Sequence, residues 1–208
     1  MRKMMMAILV TGIISLTLMA CGNQKQVMEE ESYQSIFQDS VFLGDSITEG
    51  LSFHDVLDEA NVIAGAGKTA EISMAMKDVK DIASRNPKRV FIQLGSDDIL
   101  WPTDEPIPYS LSHYAKLIRS IKDELPNASI TLLSVTPVTP EAEKKEPRYK
   151  QIGDYNQELQ ELALSEQVGF VDLSPIFNNT QGLHDTDGIH FKAQFYTLLL
   201  DFLKDQLT

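Results

Sequence analysis

Cysteine is almost absent from this chain. Its 208 residues contain one, Cys21, so no disulfide can form within it. Positive charge is scarce as well: 18 Lys and Arg stand against 30 Asp and Glu, a formal net charge of −12. Nucleic acids and anionic membrane surfaces reward the opposite sign, which argues against either as the natural partner. There is no internal repeat and no low-complexity tract of any length. Long apolar runs are missing too, except at residues 4–19, which carry no charge.

That one run follows Arg2 and Lys3 and closes on Leu18, Met19, Ala20 and Cys21. A basic start, a short apolar stretch and a small residue before a cut read as a secretory signal rather than a spanning helix. A retained single-pass anchor is the alternative. The "LMAC" sequence resembles the lipobox of bacterial lipoproteins. That resemblance implies that Cys21 is lipidated, becomes the first residue of the mature protein and tethers it to the outer face of a membrane. Several acyl chains hold firmly, since each buried methylene contributes roughly 0.8 kcal/mol. Residues 1–20 are thus expected to be a lipoprotein signal peptide and 21–36 the lipidated cysteine with a polar, acidic spacer. Residues 37–208 then form one domain, long enough for a single core and too short for two.

Within that domain, β-rich runs recur at 40–44, 61–65, 89–95, 129–135 and 169–173. They are apolar almost throughout rather than alternating, as strands covered on both faces are. Helical spacing separates them: Ile72, Met76, Val79, Ala83; Leu111, Tyr114, Leu117, Ile121, Leu125; Tyr155, Leu159, Leu162; Phe195, Leu198, Phe202. Strands alternating with helices give right-handed crossovers and a parallel sheet. The expected fold is α/β, a three-layer α/β/α sandwich on five parallel strands, with functional residues on the loops that follow the strands.

Four such loops carry candidates. "VFLGDSITEG" (41–50) runs a strand into Gly-Asp-Ser, which is either a plain turn or a nucleophile, Ser46, at a strand end. "AGAGKTA" (64–70) imitates the end of a phosphate-binding loop, but Val62 stands where that pattern needs a glycine. Its small residues instead leave backbone N–H groups open to a substrate oxygen. "LGSDDIL" (94–100) offers two carboxylates, as a helix cap or as metal ligands. "HDTDGIHF" (184–191) places His184, Asp185, Asp187 and His190 together. Their spacing matches no zinc motif, and Asp187 with His190 alternatively supply the acid and base that a serine needs at neutral pH. His54 and His113 lie in helical segments and are left there.

In this order and on these loops, the chain resembles the SGNH (GDSL-type) hydrolase superfamily. "GDSIT" corresponds to the first family block, Gly67 to the oxyanion glycine of the second, "GSDD" to the third and "DGIH" to the last. The resemblance implies a flavodoxin-like sheet and a triad in which Ser46 attacks an ester carbonyl, His190 carries the proton and Asp187 orients the ring. It implies an oxyanion hole of the Ser46 and Gly67 N–H groups. The family's third donor is an asparagine, and here the residue is Asp97. An ionised carboxylate cannot donate, and at about 4 Å it opposes an oxyanion by roughly 4 kcal/mol at an effective dielectric near 20. Asp97 is therefore either protonated and donating, turned away, or the mark of a weakened site.

The resulting expectation is an extracytoplasmic, lipid-anchored serine esterase acting on an acyl ester, either a carbohydrate O-acetyl group or a lipid ester. It calls for no cofactor and no metal. The alternatives are an acyltransferase that uses a sugar acceptor and a binding module with weakened catalysis. Residues 134–150 are expected to form a loop facing substrate. Trp101 and Tyr109 either line the pocket or simply pack in their loops.

Overall fold

The computed structural model describes residues 32–207 except 76 and 179. The signal at 1–20, Cys21 and most of the 21–36 spacer lie outside the described residues, as does Met76 of the apolar stripe.

Five strands form one sheet: β1 Ser40–Gly44, β2 Val62–Ala64, β3 Arg89–Gln93, β4 Ser129–Leu133 and β5 Gly169–Val171. Their spatial order is β2-β1-β3-β4-β5 and every pairing is parallel. The order reverses at β1, and the crevice at such a switch point is where open α/β sheets hold ligands. Three strands stop two residues earlier at their carboxyl ends than the apolar runs suggest. There the backbone donors turn to side chains. The Leu94 N–H donates to the Tyr114 hydroxyl at 3.4 Å and the Leu173 N–H to Ser134 Oγ at 2.9 Å, and Gly95 takes a φ of 138°.

In chain order the helices are α1 Tyr33–Ile36, α2 Ser46–Phe53, α3 Ala70–Ala75, α4 Asp78–Arg85, α5 Pro106–Glu124, α6 Pro140–Lys145, α7 Ile152–Glu166, α8 Pro175–Asn178 and α9 Ala193–Lys204. Successive strand side chains point to opposite faces, so each strand feeds two cores. Val41, Leu43, Val90, Ile92, Ile130 and Leu132 pack under α3, α4, α5 and α7. Phe42, Phe91 and Leu133 pack under α1, α2, α8 and α9. This is the three-layer sandwich, and the double burial explains why the strands read as unbroken apolar runs.

The stripe from Ile72 to Ala83 departs from expectation, being split into α3 and α4. The Lys68 ammonium is buried in a 2.8 Å ion pair with Asp78 in the first turn of α4. A buried charge needs such a partner, and this one fixes where the second helix begins. The 134–150 segment also differs from an open loop. It carries α6, capped by Thr139, and a 3-10 turn at Pro147–Gln151.

Candidate active site

The chain passes from β1 to α2 through a single residue. Gly44 is required there, since a Cβ would lie 1.9 Å from Thr48 Oγ1 and 2.4 Å from the Gln93 carbonyl oxygen. Asp45 caps α2: its Oδ1 accepts the Ile47 N–H at 2.9 Å, and its Oδ2 accepts the Ser96 hydroxyl at 2.6 Å. Burial pushes the Asp45 carboxyl up to about 7, against the pull of those two bonds. Ser46 is thereby held at the first position of a helix, where unpaired N–H groups and the helix dipole favour developing negative charge.

The opposite wall comes from the chain between α8 and α9. His190 Nε2 lies 2.9 Å from Ser46 Oγ, and His190 Nδ1 lies 2.6 Å from Asp187 Oδ2. Asp187 Oδ1 accepts the Ile189 and His190 N–H groups at 2.8 and 2.9 Å. Burial lifts the Asp187 carboxyl, but the His190 ring and these two N–H groups outweigh it and hold the group at about 2. An ionised Asp187 keeps the ring proton on Nδ1, which leaves Nε2 free to accept the Ser46 proton.

This loop is braced from outside. The Thr139 N–H donates to the Gly188 carbonyl at 2.8 Å, and Gly188 sits at φ 77° with no space for a Cβ against Thr139. The Asp185 N–H donates to the His190 carbonyl at 2.8 Å, and His184 pairs with Phe191 as an isolated antiparallel bridge. His184 Nε2 lies 2.8 Å from the Pro137 carbonyl. Among the described residues, no three of His, Cys, Asp and Glu converge as a metal site.

Gly67 follows β2 with a φ of 74°, and its neighbour Ala66 lines the same cleft as Ser46. Burial raises the Asp97 carboxyl above its ordinary range, while the Gly67 N–H and the nearby His190 pull it down. Asp97 therefore lies close to both the Gly67 N–H and the His190 ring. Asp98 has a separate task. Its Oδ1 accepts the Ala70 N–H at 3.1 Å and the Ser110 hydroxyl at 2.5 Å, pinning the start of α3 just beyond the Gly67 loop. Burial pushes Asp98 up to about 6. Of the two adjacent carboxylates, Asp98 is thus the one that caps a helix.

The cleft measures about 290 Å³ and is lined by Ser46, Glu49, Phe53, His54, Asp185 and His190, among others. Trp101 and Tyr109 stack on each other at 6.3 Å, with Tyr109 also against His113, which is loop and helix packing. Sequence reasoning missed Ser96, Thr139, Glu49 and Phe53. For Glu49 and Phe53 a signal existed: both fall on the helical face that begins at Ser46.

Residues 42–198 match the GDSL-like lipase/acylhydrolase family. Among solved structures, a GDSL-like lipase from Bacteroides thetaiotaomicron superposes with a TM-score of 0.66 at 20% identity, covering 80% of this chain and 86% of that one. An acetylxylan esterase from Geobacillus stearothermophilus gives 0.57 at 17%, covering 81% and 93%. A peptidoglycan O-acetylesterase gives 0.60 at 19%, covering 70% of this chain and 45% of its own. At these identities the superpositions speak to the fold. No curated protein matches the chain in sequence.

Proposed function

The chain belongs to the GDSL-like lipase/acylhydrolase family, and from that premise we propose that it cleaves acyl esters through Ser46, His190 and Asp187 while tethered to a membrane by lipid on Cys21. The carrying observation is the unbroken run of contacts from Ser46 Oγ to His190 Nε2 at 2.9 Å and from His190 Nδ1 to Asp187 at 2.6 Å.

In this reading Ser46 attacks the ester carbonyl as His190 takes its proton. The tetrahedral oxyanion is met by the Ser46 and Gly67 N–H groups. Collapse expels the alcohol, protonated by His190, and leaves an acyl-serine. Water then gives its proton to His190 and releases the acid, restoring Ser46. Asp187 stabilises the imidazolium in both steps. Asp97 in its protonated form adds a third donor, and in its ionised form opposes the oxyanion.

Acyl esters on extracytoplasmic polymers suit the proposed tether, and acetylated polymers are the substrates named for the acetylxylan and peptidoglycan esterases of the same fold. The test is hydrolysis of p-nitrophenyl acetate by the parent and by Ser46→Ala. Activity in the parent that vanishes in the variant supports the reading; equal rates overturn it. Detergent-phase partitioning of the expressed chain, lost in Cys21→Ser, tests the tether separately.

A further inference from the structure

What lies on the alcohol side of the ester is set by the walls of the cleft. Ser46 opens α2, and residues three, four and seven positions later share its face of the helix. Those residues are Glu49, Gly50 and Phe53, and all three line the cleft together with Ser46. At 1.5 Å of rise per residue, Phe53 stands about 10 Å along the helix from the nucleophile. The cleft is therefore a groove that runs from the reacting atom along two turns of α2.

Phe53 is 78% exposed, and among the described residues only Leu164 is a comparably bare large apolar side chain. Leu164 lies on α7, across the sheet from α2. A lone exposed apolar side chain needs no explanation in itself. Phe53, however, forms part of the wall of the groove that contains the nucleophile. Its ring stands nearly perpendicular to that of His54, with centroids 5.0 Å apart. His54 is in turn fixed by a 3.2 Å contact from Nε2 to the Phe191 carbonyl and by the Tyr196 ring at 5.1 Å. The ring is braced while most of its surface stays open.

Around it the groove offers acceptors and no cations. Glu49 stands one turn before Phe53, Asp185 is on the facing wall, and no Lys or Arg lines the cleft. A phosphate-bearing lipid would need a cation and a long acyl chain a continuous apolar wall; Phe191 and Tyr196 also line the cleft but are each only 2% exposed, so Phe53 is its one open aromatic face. A sugar ring matches what is present, because its C–H face lies flat on an aromatic ring while its hydroxyls donate to carboxylates.

We infer that the groove along α2 is a carbohydrate subsite, with Phe53 as the stacking platform and Glu49 and Asp185 as hydroxyl acceptors, so that the ester cleaved is an acyl group on a neutral glycan. This rests on Ser46 being the nucleophile. Binding energy gathered at Phe53 is spent on orienting the ester at Ser46, so loss of the platform reduces turnover of glycan esters selectively.

The test compares kcat/KM on O-acetylated xylobiose, p-nitrophenyl acetate and acetylthiocholine, using the full chain. Phe53→Ala is expected to lower the ratio of disaccharide to aryl ester by about tenfold. Phe53→Tyr restores that ratio, and Leu164→Ala leaves it at the parental value. The inference is overturned if Phe53→Ala does not move the ratio, or if the parent cleaves the aryl ester but not the disaccharide. It is equally overturned if acetylthiocholine is the ester that depends on Phe53, since the platform would then hold a cation. Absence of Ser46-dependent cleavage of every ester is a different result and removes the underlying esterase reading as well.

Discussion

The two walls of the cleft are built on opposite plans. The Ser46 wall is part of the core: Asp45, Ile47 and Thr48 are each 2% exposed or less and Gly44 is buried, and Ser46 is fixed by a strand end and a helix start. The wall that carries His190 and Asp187 is a loop, with their side chains 44% and 46% exposed. Its order comes from local hydrogen bonds and from Thr139 behind it. The two carboxylates respond accordingly. Asp45 is raised to about 7 mainly by burial, and Asp187 is lowered to about 2 by the donors around it. One wall immobilises an atom by packing, whereas the other holds a ring by hydrogen bonds and leaves it open to solvent.

The sharpest way to break the comparison is to ask whether the walls work as one unit. Ser46→Ala and His190→Ala are each expected to lower kcat by on the order of a millionfold, and the double variant should fall little further. Additive losses would mean that the walls act separately. Asp187→Asn keeps the shape of the loop but permits the wrong ring tautomer, and kcat should fall by about 10⁴-fold with the folded state retained by circular dichroism.

The effect of Asp97 should depend on pH. Burial raises its carboxyl pKa, so at low pH it is protonated and can donate, while at higher pH it ionises and opposes the oxyanion. Asp97→Asn should therefore raise kcat by about a hundredfold at alkaline pH, with the advantage shrinking as pH falls. A large loss in Asp97→Asn would instead assign the residue a role as an acid.

The smallest expected effect is on stability, with opposite signs from the two walls. Asp45 has a folded value raised from 3.8 to about 7. Its contribution is full below 3.8 and is lost as pH rises through 7, so unfolding free energy should decline over that window and Asp45→Asn should flatten the decline. Asp187 is lowered from 3.8 to about 2. Its contribution is present above 3.8 and is lost as pH falls through 2, weakly because the group is half exposed. Urea titrations of the parent and both asparagine variants from pH 2 to 8 read both slopes.

The same contrast governs what the sequence discloses. The five strands are legible because both their faces are buried, and Gly-Asp-Ser and Asp-x-x-His can be picked out because they are short patterns, although only the first sits at a strand end and the second lies beyond α8. Contacts that cross the chain leave no periodic trace. Ser96 reaches back 51 residues to Asp45 and Asp98 reaches back 28 to Ala70, and neither link is written in local spacing. Lys68 resembles part of a phosphate loop until its ammonium is found buried on Asp78. Helix periodicity likewise carries no sign of the break between α3 and α4, because the ion pair that sets it is tertiary. Phe53 reads as one more apolar residue at the end of α2, and only its exposure marks it as different.

The central claim is that Ser46 is activated by His190 across the cleft. Covalent labelling with a fluorophosphonate probe, mapped by peptide mass spectrometry, tests it most directly. The account predicts stoichiometric modification of Ser46, absent in Ser46→Ala and strongly slowed in His190→Ala. Labelling that is missing from the parent, or that proceeds at an undiminished rate without the histidine, would contradict it.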